Sequence, residues 1–139
     1  MIQRMQTVWL LLAALCAAFT YKFSFYSGNT VDKNNVSKFE NLVASSNFLL
    51  LIFTAILAAG GLIILFLYKD RKLQFRLTLV AIVLAIIDLI IYFQQMKNFT
   101  SGNISLTAVL AFAIPVLLIL AARGIWKDEK LVKSLDRLR

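Results

Sequence analysis

The chain has 139 residues, of which 60% are hydrophobic, and its formal net charge is +8. A soluble domain of this length could not bury so much apolar surface, because small folds bury the smallest share of their surface; the composition therefore predicts a membrane protein. One cysteine, Cys16, and no histidine exclude an intrachain disulfide and a Ser-His-Asp or Cys-His nucleophile, and they argue against any metal, iron–sulfur or haem cofactor.

Four apolar runs are long enough to cross a bilayer, which takes about 20 helical residues. They lie at about 6–25, 47–68, 77–94 and 103–122. The first run follows a basic residue, Arg4, and so also fits a signal peptide. Bulky aromatic residues follow it, however, and we interpret it as an uncut helix.

Small residues mark where the first two helices should pack. Ala55 and Ala59 in the second run are four residues apart, a spacing that lets membrane helices approach closely, and the first run has two such pairs, Ala13 with Ala17 and Ala14 with Ala18. Gly60-Gly61 is either a packing notch or a hinge. In the polar stretch 27–46, the spacing of Val36, Phe39, Leu42 and Val43 suggests a short helix lying on the membrane surface.

Asp88 is the only acidic residue inside an apolar run. It lies about 18 Å above Arg76 at the helical rise, in the outer half of the bilayer, where an unpaired charge is costly. Lys22 and Tyr92 are candidate partners, and Pro115 frees the carbonyl of Ala111 at a similar depth. Two interpretations follow: a proton or ion relay, or an internally hydrogen-bonded acid that fixes the helix register.

The basic residues predict the orientation. The head, the connector between the second and third runs, and the tail hold 11 Lys and Arg, whereas the other two connectors hold 4. Because basic residues near span ends stay in the cytoplasm, both termini are predicted to lie inside. This segregation indicates topology rather than nucleic-acid binding.

The tail predicts a basic amphipathic helix, continuous with the fourth run. Leu131, Leu135 and Leu138 recur at helical spacing. The helix either skims anionic lipid headgroups or docks on a partner protein. The basic residues that would make these contacts are Arg123, Lys127, Lys130, Lys133 and Arg137.

These features predict an all-α integral membrane four-helix bundle made of two antiparallel hairpins, with both termini cytoplasmic. We divide it into a transmembrane domain, 1–122, and a cytoplasmic tail, 123–139. The candidate intramembrane polar site comprises Asp88, Lys22, Tyr92 and Pro115.

Three segments carry a family resemblance: MIQRMQTVWLLLAA, YKDRKLQFRL and, most specifically, ARGIWKDEKLVKSLDRLR. They resemble an uncharacterised domain-of-unknown-function family of short four-helix membrane proteins of Bacteroidota-type bacteria, along the whole chain. The resemblance implies an inner-membrane location and brings no activity, cofactor or catalytic residues.

We therefore expect no enzyme and no cofactor, but an accessory or scaffold subunit of a larger membrane assembly. Its expected partners are the lipid bilayer, anionic headgroups, and a membrane protein or a second copy, with no nucleic acid. The alternative is a small oligomeric carrier or channel, proton-linked through Asp88.

Overall fold

A computed structural model describes residues 3–31, 37–67 and 70–136. This part of the chain contains four α-helices, three β-strands and two short 3₁₀ turns. The helices are α1 (Gln3–Phe19), α2 (Phe48–Phe66), α3 (Arg71–Met96) and α4 (Val109–Asp136), and the strands are β1 (Tyr26–Val31), β2 (Ser37–Leu42) and β3 (Ser101–Ile104). The 3₁₀ turns, Ala44–Ser46 and Leu106–Ala108, lead into α2 and α4. The protein is mostly helical, as expected, but the all-α prediction is wrong because the strands form a small sheet.

Three of the described helical segments are long and apolar enough to cross a membrane: Phe48–Phe66, Arg71–Met96 and Leu106–Val132. The first helix is shorter, and its apolar part is Met5–Phe19. Its predicted span, 6–25, is too long, since the chain leaves the helix after Phe19. These segments support a membrane protein, since so much apolar helix surface is stable only in lipid.

The helices form a ring in which each packs against two neighbours: α1 and α3 both contact α2 and α4. The sheet covers one end of the ring, which we call the sheet end. At the opposite end, the basic end, α1 begins, α2 leads into α3, and α4 terminates. Leu10, Leu57, Ala85, Ile114 and Leu118 belong to the apolar core between them.

Helices α1 and α2 meet, as expected, at small residues: Ala14 of α1 lies against Gly61 of α2, which is a packing notch, whereas the expected contact through Ala55 and Ala59 is wrong. A Cβ on Gly61 would lie 3.1 Å from the Ala14 Cβ, so the missing side chain is what brings the backbones together. Ala55 and Ala59 face outward instead. The buried face of α2 is set by Leu50, Thr54, Leu57, Gly61 and Ile64, and the alanine pair lies off that stripe.

The sheet joins the two connectors at its end of the bundle. The central strand, β1, pairs antiparallel with β2 on one side and with β3 on the other. Gly28 lies opposite Gly102, and a Cβ on Gly102 would lie 2.6 Å from the Gly28 Cα, so neither position has room for a side chain.

The surface helix expected near Phe39 is therefore wrong, because residues 37–42 are strand β2; Val36 lies outside the described residues. The fourth predicted span, 103–122, likewise begins as strand, and its helix α4 starts only at Val109. Strand pairing satisfies backbone groups that a helix would otherwise satisfy locally.

Helix α4 continues unbroken through residue 122 to Asp136. The expected continuity of the tail with the fourth apolar run is therefore confirmed over the described residues. Pro115 lies inside this helix.

Candidate functional site

Asp88 lies on the buried face of α3, with 2% of its surface exposed. Tyr92, one helical turn closer to the sheet end, is fully buried. The Asp88 Oδ1 atom and the Tyr92 hydroxyl both lack a hydrogen-bond partner, although nearly all buried polar groups in proteins have one. These two oxygens are the most unusual polar atoms in the described part of the chain.

The hypothesised Lys22–Asp88 ion pair does not form. Lys22 follows α1 at the sheet end, and its side chain is exposed rather than directed into the bundle. No ion pair in the described ranges includes Asp88. The physical reason is solvation, because a lysine ammonium near the end of a helix gains more by reaching water than by entering hydrocarbon.

Pro115 and Tyr92 belong to the same half of the bundle. Proline has no amide N–H, so the carbonyl of Ala111 lacks its usual helical donor. Ala111 is buried and packs in one apolar cluster with Tyr92 and Phe25. The freed carbonyl thus adds an oxygen acceptor on the α4 side of this cluster.

Aromatic rings cover Tyr92 on the sheet side. Phe25, just before β1, stacks on the Tyr92 ring with centroids 4.5 Å apart, and Phe112 of α4 lies 5.6 Å from Phe25. The polar neighbours of the Tyr92 hydroxyl are Asp88, Thr20 and Tyr21. The Thr20 hydroxyl donates to the Ala17 carbonyl at 2.7 Å, and so keeps acceptor capacity of its own.

A cluster of hydroxyl groups lies next to Phe25 at the sheet end. Ser105 shares hydrogen bonds of 3.0 Å with Ser24 and with Ser27, and Thr107 donates to the Ser24 carbonyl at 2.5 Å. These side chains are only partly buried. Polar groups therefore continue from Tyr92 towards the solvent-exposed sheet end.

Towards the basic end, Asp88 meets apolar packing instead. The next two residues on the buried face of α3 are Ala85 and Ala81, both in the central apolar core. At the helical rise, Asp88 is about 12 Å from Met96 but about 26 Å from Arg71. The site is thus nearer the sheet end and closed towards the basic end.

A second buried acid lies at the basic end. Asp128 of α4 is 6% exposed, and its Oδ2 accepts a hydrogen bond of 2.5 Å from the Gln6 side-chain amide of α1. Gly124, one turn earlier, provides the space, since a Cβ there would lie 2.8 Å from the Gln6 Cγ. Sequence reasoning missed this bond because Asp128 stands among charged residues and resembles a solvated one.

Two further buried polar residues stand below the core on α3. The Gln74 amide donates to the Ile64 carbonyl of α2 at 3.2 Å, and the Thr78 hydroxyl donates to the Gln74 carbonyl at 2.8 Å. The Gln74 bond joins α3 to α2, and the Gln6–Asp128 bond joins α1 to α4, both at the basic end.

Opposite Asp128, α4 exposes a basic and aromatic face, which we call the tail face. Its described residues line a cleft of about 480 Å³: Arg123, Trp126, Lys127, Lys130, Leu131 and Ser134. The Lys130 ammonium lies 5.7 Å from the centre of the Trp126 ring. Of the predicted contacts, the Lys133 side chain and Arg137 fall outside the described residues.

No group of three or more Cys, Asp or Glu residues suited to hold a metal occurs among residues 3–31, 37–67 and 70–136. The model of a protein family described as "Domain of unknown function (DUF4293)" matches residues 2–138. No curated protein and no solved structure matches the chain.

Proposed function

Because the chain belongs to the family described as a domain of unknown function (DUF4293), its activity must be inferred from its own residues, and we propose that it is a non-enzymatic accessory or scaffold subunit of a larger membrane assembly. The observation that supports this proposal is the tail face. It projects from the apolar part of α4 and combines exposed cations with an exposed tryptophan; of these residues, Trp126 and Arg123 are of types enriched where proteins bind one another.

The Gln6–Asp128 bond favours docking over a loose lipid contact. It holds the extension of α4 against α1, so the tail face keeps one orientation relative to the bundle. A surface that is held rigid before binding loses less conformational freedom when a partner arrives. Anionic headgroups then serve as secondary contacts of the same cations.

Charge reversal at the tail face tests the proposal. Affinity purification in mild detergent from native membranes should recover the wild-type chain with a membrane protein in constant stoichiometry. The double variant Lys127→Glu, Lys130→Glu should lose that protein by about tenfold or more, since rim and core charges at interfaces contribute on this scale.

The matched control is Lys72→Glu, Arg76→Glu. It makes the same change of net charge at the same end of the bundle, on exposed residues of α3. Recovery of the wild-type chain only as a monomer or homodimer would contradict the accessory role. Equal loss in both double variants would assign the effect to net charge and anionic lipid rather than to a docking face.

The second candidate is a small proton-linked carrier or channel, and the unpartnered Asp88 Oδ1 is the observation that favours it. Ionisable groups within membrane spans commonly belong to ion or proton pathways. A single bundle with an apolar core below Asp88 has no continuous polar path, so this function requires an oligomer. Proton flux into vesicles containing the purified chain, compared with Asp88→Asn, distinguishes it.

We further propose a multi-pass location in the bacterial inner membrane with both termini cytoplasmic. The 11 basic residues in the head, the connector between the second and third apolar runs, and the tail, against 4 in the other two connectors, support this orientation. It would place the tail face in the cytoplasm and the sheet outside.

A further inference from the structure

We propose that Asp88 and Tyr92 form a binding site for one monovalent cation, which enters from the sheet end and neutralises the Asp88 carboxylate. This cation would be the ligand of the second candidate function, on which the proposal builds. Binding of the cation does not require that the protein transports it.

Asp88 needs a positive charge to balance it. A carboxylate with 2% of its surface exposed, inside a hydrocarbon-embedded bundle, costs several kcal/mol unless a positive charge neutralises it. The described residues supply no such charge, because Lys22 is exposed and no ion pair among them includes Asp88. We therefore assign the neutralising charge to a cation from solution.

Four oxygen atoms are the candidate ligands of this cation. Two buried oxygens without partners, Asp88 Oδ1 and the Tyr92 hydroxyl, lie one turn apart on the same face of α3. The Thr20 hydroxyl and the Ala111 carbonyl freed by Pro115 belong to the same region. These four candidate ligand atoms are all oxygens, which suit a proton or a hard alkali ion.

The two sides of the site differ in polarity. Below Asp88, Ala85, Ala81 and their apolar neighbours close the bundle. Above Tyr92, behind the Phe25 ring that stacks on it, lie the polar residues Thr20, Ser24 and Ser105. The shorter and more polar route to the site is therefore from the sheet end.

The other titratable groups around the site are few. Tyr92 is on α3 itself, Cys16 is on α1, and Tyr21 follows α1 with its hydroxyl donated to the Leu51 carbonyl at 2.8 Å. Helix α2 and the bundle part of α4 carry no charged residue. Uptake of a proton by one Asp88 oxygen forms an O–H bond and gives a neutral carboxyl group, with no further reactant.

The experiment measures thermal unfolding of the purified chain in detergent. In choline chloride, the wild-type melting temperature should fall by about 5 °C or more between about pH 6 and about pH 9, while Asp88→Asn stays level. The sign follows from the burial of Asp88, because raising the pH removes the proton that keeps the buried carboxyl neutral.

A second arm separates the two sources of charge. If an alkali ion is the ligand, replacing choline with sodium at about pH 9 restores the wild-type melting temperature and leaves Asp88→Asn unchanged. If sodium has no effect, the ligand is the proton. The matched control is Asp128→Asn, which changes a buried acid that already has a partner and should keep the wild-type pH response.

If Asp88→Asn does not fold, infrared spectroscopy of the wild type and Asp128→Asn decides. At about pH 6 in choline chloride, where ordinary carboxyl groups are ionised, both should show the carbonyl band of one neutral carboxyl. Base should remove the band, and sodium should remove it only if an alkali ion is the ligand. Parallel pH and sodium responses in wild type and Asp88→Asn, or absence of that band, would overturn the inference. Cation binding without proton flux would overturn only the second candidate function.

Discussion

Buried polar side chains in this protein stabilise the fold in two ways. Thr54 and Thr78 donate to carbonyls of their own helices, which satisfies the hydroxyl without linking elements. Gln6 and Gln74 reach a neighbouring helix and so fix its register. Asp88 belongs to neither group, which is why a bound cation rather than a structural bond explains it best.

The Gln6–Asp128 bond should contribute measurably to the stability of the protein. Asp128→Ala leaves the buried Gln6 amide without an acceptor and should lower the free energy of unfolding by about 1–2 kcal/mol. Asp128→Asn keeps one acceptor oxygen and should cost less. Unfolding in detergent, followed by tryptophan fluorescence, measures both.

A double-mutant cycle isolates this bond from the general cost of each substitution. Gln6→Ala combined with Asp128→Ala should destabilise the protein by less than the sum of the single variants, because each single change already breaks the bond. Additive losses would mean that the two residues contribute independently and that the tail face is oriented by other contacts.

The two acids show what a sequence reveals about buried charge. Asp88 stands alone in an apolar run, so its burial follows from its neighbours in the chain. Asp128 lies in a charged tail, and its burial depends on Gln6, which is 122 residues away. A local pattern carries no signal for such a distant partner.

Helix packing depends on which side of α2 faces inward. Gly61 faces α1, whereas a Cβ on the adjacent Gly60 would meet nothing within 4 Å. Hydropathy alone did not distinguish the two faces of α2, because lipid and core are equally apolar. This explains why the sequence correctly paired α1 with α2 through Ala14 and the glycine notch, but also selected Ala55 and Ala59, which face outward.

The neighbouring glycines of α2 allow a test of how closely α1 and α2 pack, with Gly60 as the control for Gly61. Gly61→Leu forces α1 and α2 apart at Ala14 and should destabilise the bundle by about 1–3 kcal/mol. Gly60→Leu makes the same chemical change towards lipid and should be close to neutral. Melting temperatures of both variants in one detergent provide the comparison; equal losses would place the close approach elsewhere.

Elements formed by long apolar runs could be predicted, whereas the sheet could not. Helices α2 and α3 follow from hydropathy because their backbone groups are satisfied within the segment. Strand β1 pairs with β3 across more than 70 residues, and its sequence YSGNTV resembles a turn. This pairing depends on the close approach of Gly28 and Gly102. The sequence does not show that approach, because the two glycines belong to different connectors that only the fold brings together.

At the scale of the whole molecule, the sheet fastens the two hairpins together at one end and the buried amide bonds fasten them at the other. Helices α1 and α2 share one connector of the sheet, and α3 and α4 share the other. The two ends therefore differ in kind. One end has hydroxyl-rich strands with few cations, and the opposite end is basic and has the tail face. This asymmetry makes orientation in the membrane the property on which the proposed functions depend.

Cysteine labelling in whole cells tests that orientation. In a Cys16→Ser background, Lys38→Cys and Lys97→Cys place exposed thiols at the sheet end, and Lys72→Cys and Lys130→Cys place them at the basic end. A membrane-impermeant maleimide should label the first pair in intact spheroplasts and the second pair only after permeabilisation, because basic flanks are retained inside. Labelling of Lys130→Cys before permeabilisation would put the tail face outside. A cytoplasmic docking partner would then be impossible, and cations would reach Asp88 from the cytoplasm.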